Sequence, residues 1–137
     1  MPLNLKMEDE YKSTWWSIKV APDWFAEREA DCTTIWREDG VGAFQISAYK
    51  YDLGLIPEDD LNDFMSGEFP GDTAIKSVTC GQFAGVGVEY AIDEKFWQKR
   101  WLTSGPLLVY VTYNCSSGNR SIEPAAVDQM LATLQPL

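Results

Sequence analysis

The chain contains no histidine. That absence removes Ser-His-Asp and Cys-His arrangements, imidazole acid–base catalysis and histidine-ligated metal centres, the commonest routes to hydrolysis near neutral pH. Cysteine is scarce as well. Cys32, Cys80 and Cys115 are odd in number, widely separated and free of C-x-x-C spacing, which argues against a disulfide framework or a zinc knuckle. Nucleophilic cysteine chemistry needs a basic neighbour to form thiolate; Lys76 is only loosely near Cys80 in sequence, and Cys115 falls past a strand end. Positive charge is in short supply: 11 Lys and Arg stand against 21 Asp and Glu, a formal net charge of −10. Such a chain repels phosphate backbones and anionic bilayers, so neither nucleic acid nor membrane is expected as a partner. No stretch approaches 18 apolar residues, and no D-x-D-x-D-G calcium loop occurs. Gly81, Gly85 and Gly87 fit neither G-x-G-x-x-G nor a P-loop. The opening MPLNLKMEDEYKST lacks an apolar core of signal-peptide length, which, taken as the native start, predicts a cytoplasmic protein. No catalytic set, cofactor or metal is expected.

Aromatic residues, by contrast, are plentiful, with six each of Trp, Tyr and Phe among 137 residues. That is enough apolar material for one domain without a staple. The stretch Leu107 to Tyr113, LLVYVTY, follows the Ser104-Gly105-Pro106 turn and has the composition of a buried central strand. Upstream, Trp16, Ile18 and Val20 alternate with Ser17 and Lys19, the pattern of a half-buried strand. Residues 33 to 51 form a hairpin around the Glu38-Asp39-Gly40 turn, with Phe44, Ile46 and Ala48 on one face. Ala74 to Cys80 and Phe83 to Asp93 predict two further strands, the second carrying Ala84, Val86, Val88, Tyr90 and Ile92 on one side. Its glycines suggest a bulge or a close backbone approach. Phe96 to Thr103 then places Trp97, Lys99 and Trp101 on one face, Gln98 and Arg100 on the other.

Two helices complete the pattern. Pro57 suits a first helical position, Glu58, Asp59 and Asp60 crowd the first turn where the helix dipole favours negative charge, and Leu61, Phe64 and Met65 fall at i, i+3 and i+4. The segment 122 to 134 buries Val127, Met130, Leu131 and Leu134 at i, i+3, i+4 and i+7. Residues 1 to 12 are polar and predict a loose lead-in. Short turns favour antiparallel pairing, so the expected architecture is α+β: a mostly antiparallel six- to seven-stranded sheet with helices at about 57–66 and 122–134 packed on it, as a single domain over 1–137.

Several stretches together are similar to the Mog1/PsbP-like group, including its small bacterial domains. They are WWSIKVAPDWF, GAFQISAY, the acidic helix near 57 to 66, GQFAGVGVEYA, KRWLTSGPLLVYVTY and the closing VDQMLATL. The resemblance spans nearly the whole chain from about Thr14. It implies the same sheet flanked by helices and non-enzymatic binding roles, and it brings no catalytic residues with it.

The functional expectation is a non-enzymatic, cytoplasmic protein-binding domain whose acidic surface meets a basic partner, of the kind found in immunity proteins or secretion accessories. Its candidate contacts are Glu58, Asp59, Asp60 and Asp63 on the acidic helix, and Trp15, Trp97 and Trp101 on strand faces that also carry polar residues. Each has a plainer explanation. The acids suffice as a helix start, and a helix over 57–66 could cover the tryptophans. Two other functions stay open: a small-molecule or lipid binder with an aromatic-lined cavity under the sheet, and a hydrolase using two convergent carboxylates.

Overall fold

The structure, a computed structural model, describes residues 9–52, 54 and 56–137. Among these residues ten strands and two α-helices follow one another. They are β1 (Asp9–Lys12), β2 (Trp16–Val20), β3 (Trp24–Arg28), β4 (Thr33–Arg37), β5 (Gly42–Lys50), α1 (Glu58–Met65), β6 (Lys76–Cys80), β7 (Phe83–Ile92), β8 (Lys95–Ser104), β9 (Leu107–Ser116), α2 (Pro124–Leu131) and β10 (Gln135–Pro136). Seven strands form one sheet in the order β3-β4-β5-β9-β8-β7-β6, and β1-β2-β10 form a second. Every pairing is antiparallel, so the protein is α+β, with a mostly antiparallel sheet.

The central strand is β9. It lies between β5 and β8, pairing Phe44 with Tyr113 on one side and Trp101 with Tyr110 on the other. Leu107, Val109, Val111, Tyr113 and Cys115 point into one core and Leu108 into another. Covered on both faces, the strand has no use for polar alternation, which is why LLVYV reads as a continuous apolar run.

The first core is closed by α2 and by the small sheet. Val127, Met130, Leu131 and Leu134 are buried there, as are Trp16, Ile18 and Val20 of β2. Burying each such side chain contributes about 1.5–3 kcal/mol. Pro124 occupies the first turn of α2, where its missing N–H is no loss. Glycine at 85 lets β7 and β8 come together, since a Cβ there would run into the Trp101 carbonyl oxygen.

The structure departs from the expected pattern in three places. Asp9–Lys12, expected within a loose lead-in, is a strand paired to β2, Asp9 with Val20 through Lys12 with Ser17; residues 1–8 of that expectation lie outside the described residues. The strand β2 leaves the main sheet for the second one, which turns Ser17 inward and accounts for its burial beside Trp16 and Ile18. Phe64, placed with Leu61 and Met65 on one stripe, is 38% exposed. The helix rests on the sheet through Leu61 and Met65 instead, and none of its residues is wholly buried.

Candidate functional site

On the face of the main sheet opposite α2, Val88, Trp101 and Leu108 make a second, smaller core under Ile56, Leu61, Met65 and Phe69. Trp101 is 1% exposed. It lies between Phe69 and Tyr110, with ring centroids at 5.7 Å and 5.3 Å. Its expected role as a contact for a partner is therefore corrected: α1 and the turn after it cover it. The other two tryptophans part company. Trp97 is half-buried beside Tyr90, 6.5 Å between near-parallel rings, with the Lys99 ammonium 5.1 Å from its centroid. Trp15 lies on the other side of the sheet, partly buried against the first core.

What holds α1 in place is Glu68, three residues past its end. The Glu68 carbonyl oxygen accepts hydrogen bonds from Tyr90 Oη (3.2 Å) and Lys99 Nζ (2.7 Å), and its carboxylate accepts one from Tyr110 Oη at 2.8 Å. Lys99 Nζ also lies 3.6 Å from Glu68 Oε1. Burial, then the Glu68 carboxylate, push the Tyr110 hydroxyl well above the ordinary tyrosine range. Three side chains from three adjacent strands thus clamp one loop residue and fix the helix on the sheet.

The outward side of α1 carries the acids. Glu58, Asp59 and Asp63 are exposed, and Asp60 is half-buried because it accepts the Tyr51 hydroxyl at 2.9 Å. Burial, then that bond and the charge of Asp63, raise the Tyr51 hydroxyl above its ordinary value. Beside them the Tyr49 and Phe64 rings meet at a tilt, with centroids 5.4 Å apart, while remaining 45% and 38% exposed. Tyr51, Asp60, Asp63 and Phe64 line a cleft of about 350 Å3. The aromatic residues beside the acids are therefore Tyr49, Tyr51 and Phe64. A sequence signal existed for Tyr49. It falls out of phase with the inward-facing Phe44, Ile46 and Ala48, so it must point to the other face. For Phe64 none existed, because helical spacing alone does not say which edge of an apolar stripe stays wet.

A second polar cluster had no sequence signal. Glu123, 1% exposed, precedes the first residue of α2, and its side chain turns into the protein instead of capping the helix. Its Oε1 accepts Tyr113 Oη at 2.9 Å, and its Oε2 accepts the Val41 N–H at 3.2 Å and lies 3.3 Å from Arg37 Nε. Burial first, then hydrogen bonds involving Cys115 and Glu123, hold the Tyr113 hydroxyl far above its usual range. This carboxylate ties the β4–β5 turn to the central strand, a structural task.

Among the described residues, no group of three or more Cys, Asp or Glu is placed to hold a metal ion, and no helix is long and apolar enough to cross a membrane. The class these elements define is an α+β domain with a seven-stranded antiparallel sheet covered by a helix on each face. A crystal structure from Bacteroides thetaiotaomicron VPI-5482 shares it, with a TM-score of 0.62 at 14% identity over 90% of this chain and 45% of that one. This chain therefore spans less than half the length of that relative. LpqN, a Mycobacterium tuberculosis protein involved in cell envelope biogenesis, gives a TM-score of 0.60 at 14% identity over 88% of this chain and 82% of its own. At such identity the likeness concerns the fold. No family model and no curated protein matches the chain.

Proposed function

We propose that the chain is a non-enzymatic, cytoplasmic protein-binding domain of the Mog1/PsbP-like group, and that its α1 face takes a basic segment of a partner protein. One observation carries this reading. The exposed Tyr49–Phe64 pair is bordered by Asp60 and Asp63, with Glu58 and Asp59 one turn away. Aromatic faces ringed by carboxylates suit a Lys or Arg side chain, which gains both a cation–π contact and an ion pair there. The net charge of −10 adds long-range attraction for such a partner and speeds encounter. The lack of histidine and the burial of Cys80 and Cys115 favour binding over catalysis.

Affinity capture from lysate of the source organism, at low and at moderate salt, tests the reading. The wild-type chain should retain a basic protein, less of it as salt rises. A variant with Asp59→Lys, Asp63→Lys and Phe64→Ala should lose that protein while keeping the wild-type circular dichroism spectrum. Retention of the same protein by the variant, or recovery of no basic protein by the wild type, refutes the assignment.

A further inference from the structure

The α2 side of the sheet holds a second cleft, of about 330 Å3, over β6, β7 and β8. Gly87 forms part of its floor: a Cβ there would come within 3.3 Å of Val78 Cγ1 and 3.4 Å of Arg100 Cγ. Gln98 and Arg100 project from β8 into this side, alternating with Trp97, Lys99 and Trp101 on the other. Gln98 is only 6% exposed. Its Nε2 donates to Glu89 Oε1 at 2.6 Å, which fixes the amide orientation, because only the NH2 can face a carboxylate. The opposite atom, Gln98 Oε1, is buried and has no hydrogen-bond partner. Arg100 repeats the arrangement with the opposite sign. Its Nη2 donates to Asp128 Oδ1 of α2 at 2.7 Å, and its Nη1 is buried and unpartnered.

Buried polar atoms without partners are uncommon in folded proteins and call for an explanation. Here an acceptor and a cationic donor come from residues two apart on one strand, whose Cα atoms are about 6.6 Å apart, and both residues line the same cleft, within the span of one small ligand. The lining is balanced in charge, Lys76 and Arg100 against Glu89 and Asp128. Lys99 adds nothing, as its ammonium is held by Glu68 on the other face. A carboxylate alone would leave Gln98 Oε1 without a donor, whereas a ligand that also carries an N–H group satisfies both atoms. We propose that this cleft binds a carboxylate with an N–H donor on the adjacent carbon, the chemistry shared by a free α-amino acid and the last residue of a peptide. The carboxylate meets Arg100 Nη1, with Lys76 at the rim, and the N–H donates to Gln98 Oε1.

The side-chain amide signals of Gln98 in the 15N-labelled full chain report binding directly. The probes are L-alanine, N-acetyl-L-alanine, L-alaninamide and acetate. A saturable shift with either alanine carboxylate, at least about tenfold weaker with L-alaninamide and with acetate, supports the proposal. A response to L-alanine alone identifies the free amino acid, and a response to N-acetyl-L-alanine, alone or with L-alanine, identifies the peptide end. Arg100→Lys, which loses the planar fork, should weaken binding about tenfold. Gly87→Ala, which fills the floor without touching either polar atom, should do the same, and it decides the matter if the Arg100 variant does not fold. No saturable shift with either carboxylate, acetate binding as tightly as both, or unchanged binding by Gly87→Ala overturns the proposal.

Discussion

Replacing Glu123 by alanine removes a buried carboxylate that the central strand, the β4–β5 turn and Arg37 share. Tyr113 is fully buried, so its hydroxyl loses an acceptor that water cannot replace, at about 1–3 kcal/mol. The Val41 N–H, half-buried, loses about 1 kcal/mol. Arg37 is 32% exposed, and its ion pair is largely screened, so its share is small. Relief from keeping a carboxylate out of water offsets part of the loss. The net expectation is about 3 kcal/mol, near the lower end for removing one member of a buried pair. In a chain of this size that lowers the melting temperature by about 10 °C. Tyr113→Phe takes away one donor and leaves Glu123 with Val41 and Arg37, for about 1 kcal/mol. Glu123→Gln falls between the two, because in either orientation its NH2 faces an N–H or the Tyr113 hydroxyl that needs an acceptor. Urea unfolding of the four chains (wild type, both single variants of the Glu123→Ala and Tyr113→Phe pair, and the double variant) at constant m-value gives the coupling between the two residues. It should be about 1 kcal/mol. A Glu123→Ala variant within 0.5 kcal/mol of wild type, or a coupling indistinguishable from zero, would show that the cluster does not hold the turn.

Three further outcomes follow from the same geometry. Tyr110 and Tyr113 both carry raised hydroxyl values in the fold, from burial first and from their hydrogen-bonded surroundings second. Protonated tyrosine therefore favours the folded state, so this contribution is intact below about pH 10, the unfolded value, and declines as pH rises beyond it. Stability should drop by about 1.4 kcal/mol per pH unit for each of the two, and Tyr110→Phe and Tyr113→Phe should each remove one such increment from the slope measured by urea titration between about pH 9 and 11.5; an unaltered slope in both variants would contradict it. At the β7–β8 turn, Asp93 and Glu94 have φ of 53° and 64°, a conformation that Asn-Gly adopts more readily, so Asp93→Asn with Glu94→Gly should raise stability by about 1 kcal/mol in thermal melts. Gly85→Ala should cost more than about 3 kcal/mol, since its Cβ meets the Trp101 carbonyl rather than a movable side chain; a variant that melts with the wild type would mean the two strands can part at little cost.

Periodicity and turn chemistry were sufficient for most of the architecture. The stripe Val127, Met130, Leu131 and Leu134, the hairpin of β4 and β5, and the central position of β9 were all legible, because each depends on spacing within one segment and on whether its faces meet water. The acidic first turn of α1 was legible for the same reason. What no segment could specify was which faces meet. Whether Trp101 is exposed depends on Phe69 and Glu68, residues more than thirty positions away, and whether Phe64 stays wet depends on how α1 rolls onto Leu61 and Met65. Glu123, one acid among 21 acidic residues, became a buried tie, and Gln98 and Arg100 became neighbours with unsatisfied atoms, only once β6, β7, β8 and α2 were brought together. The local code decides which residues turn inward; long-range packing decides what they find there.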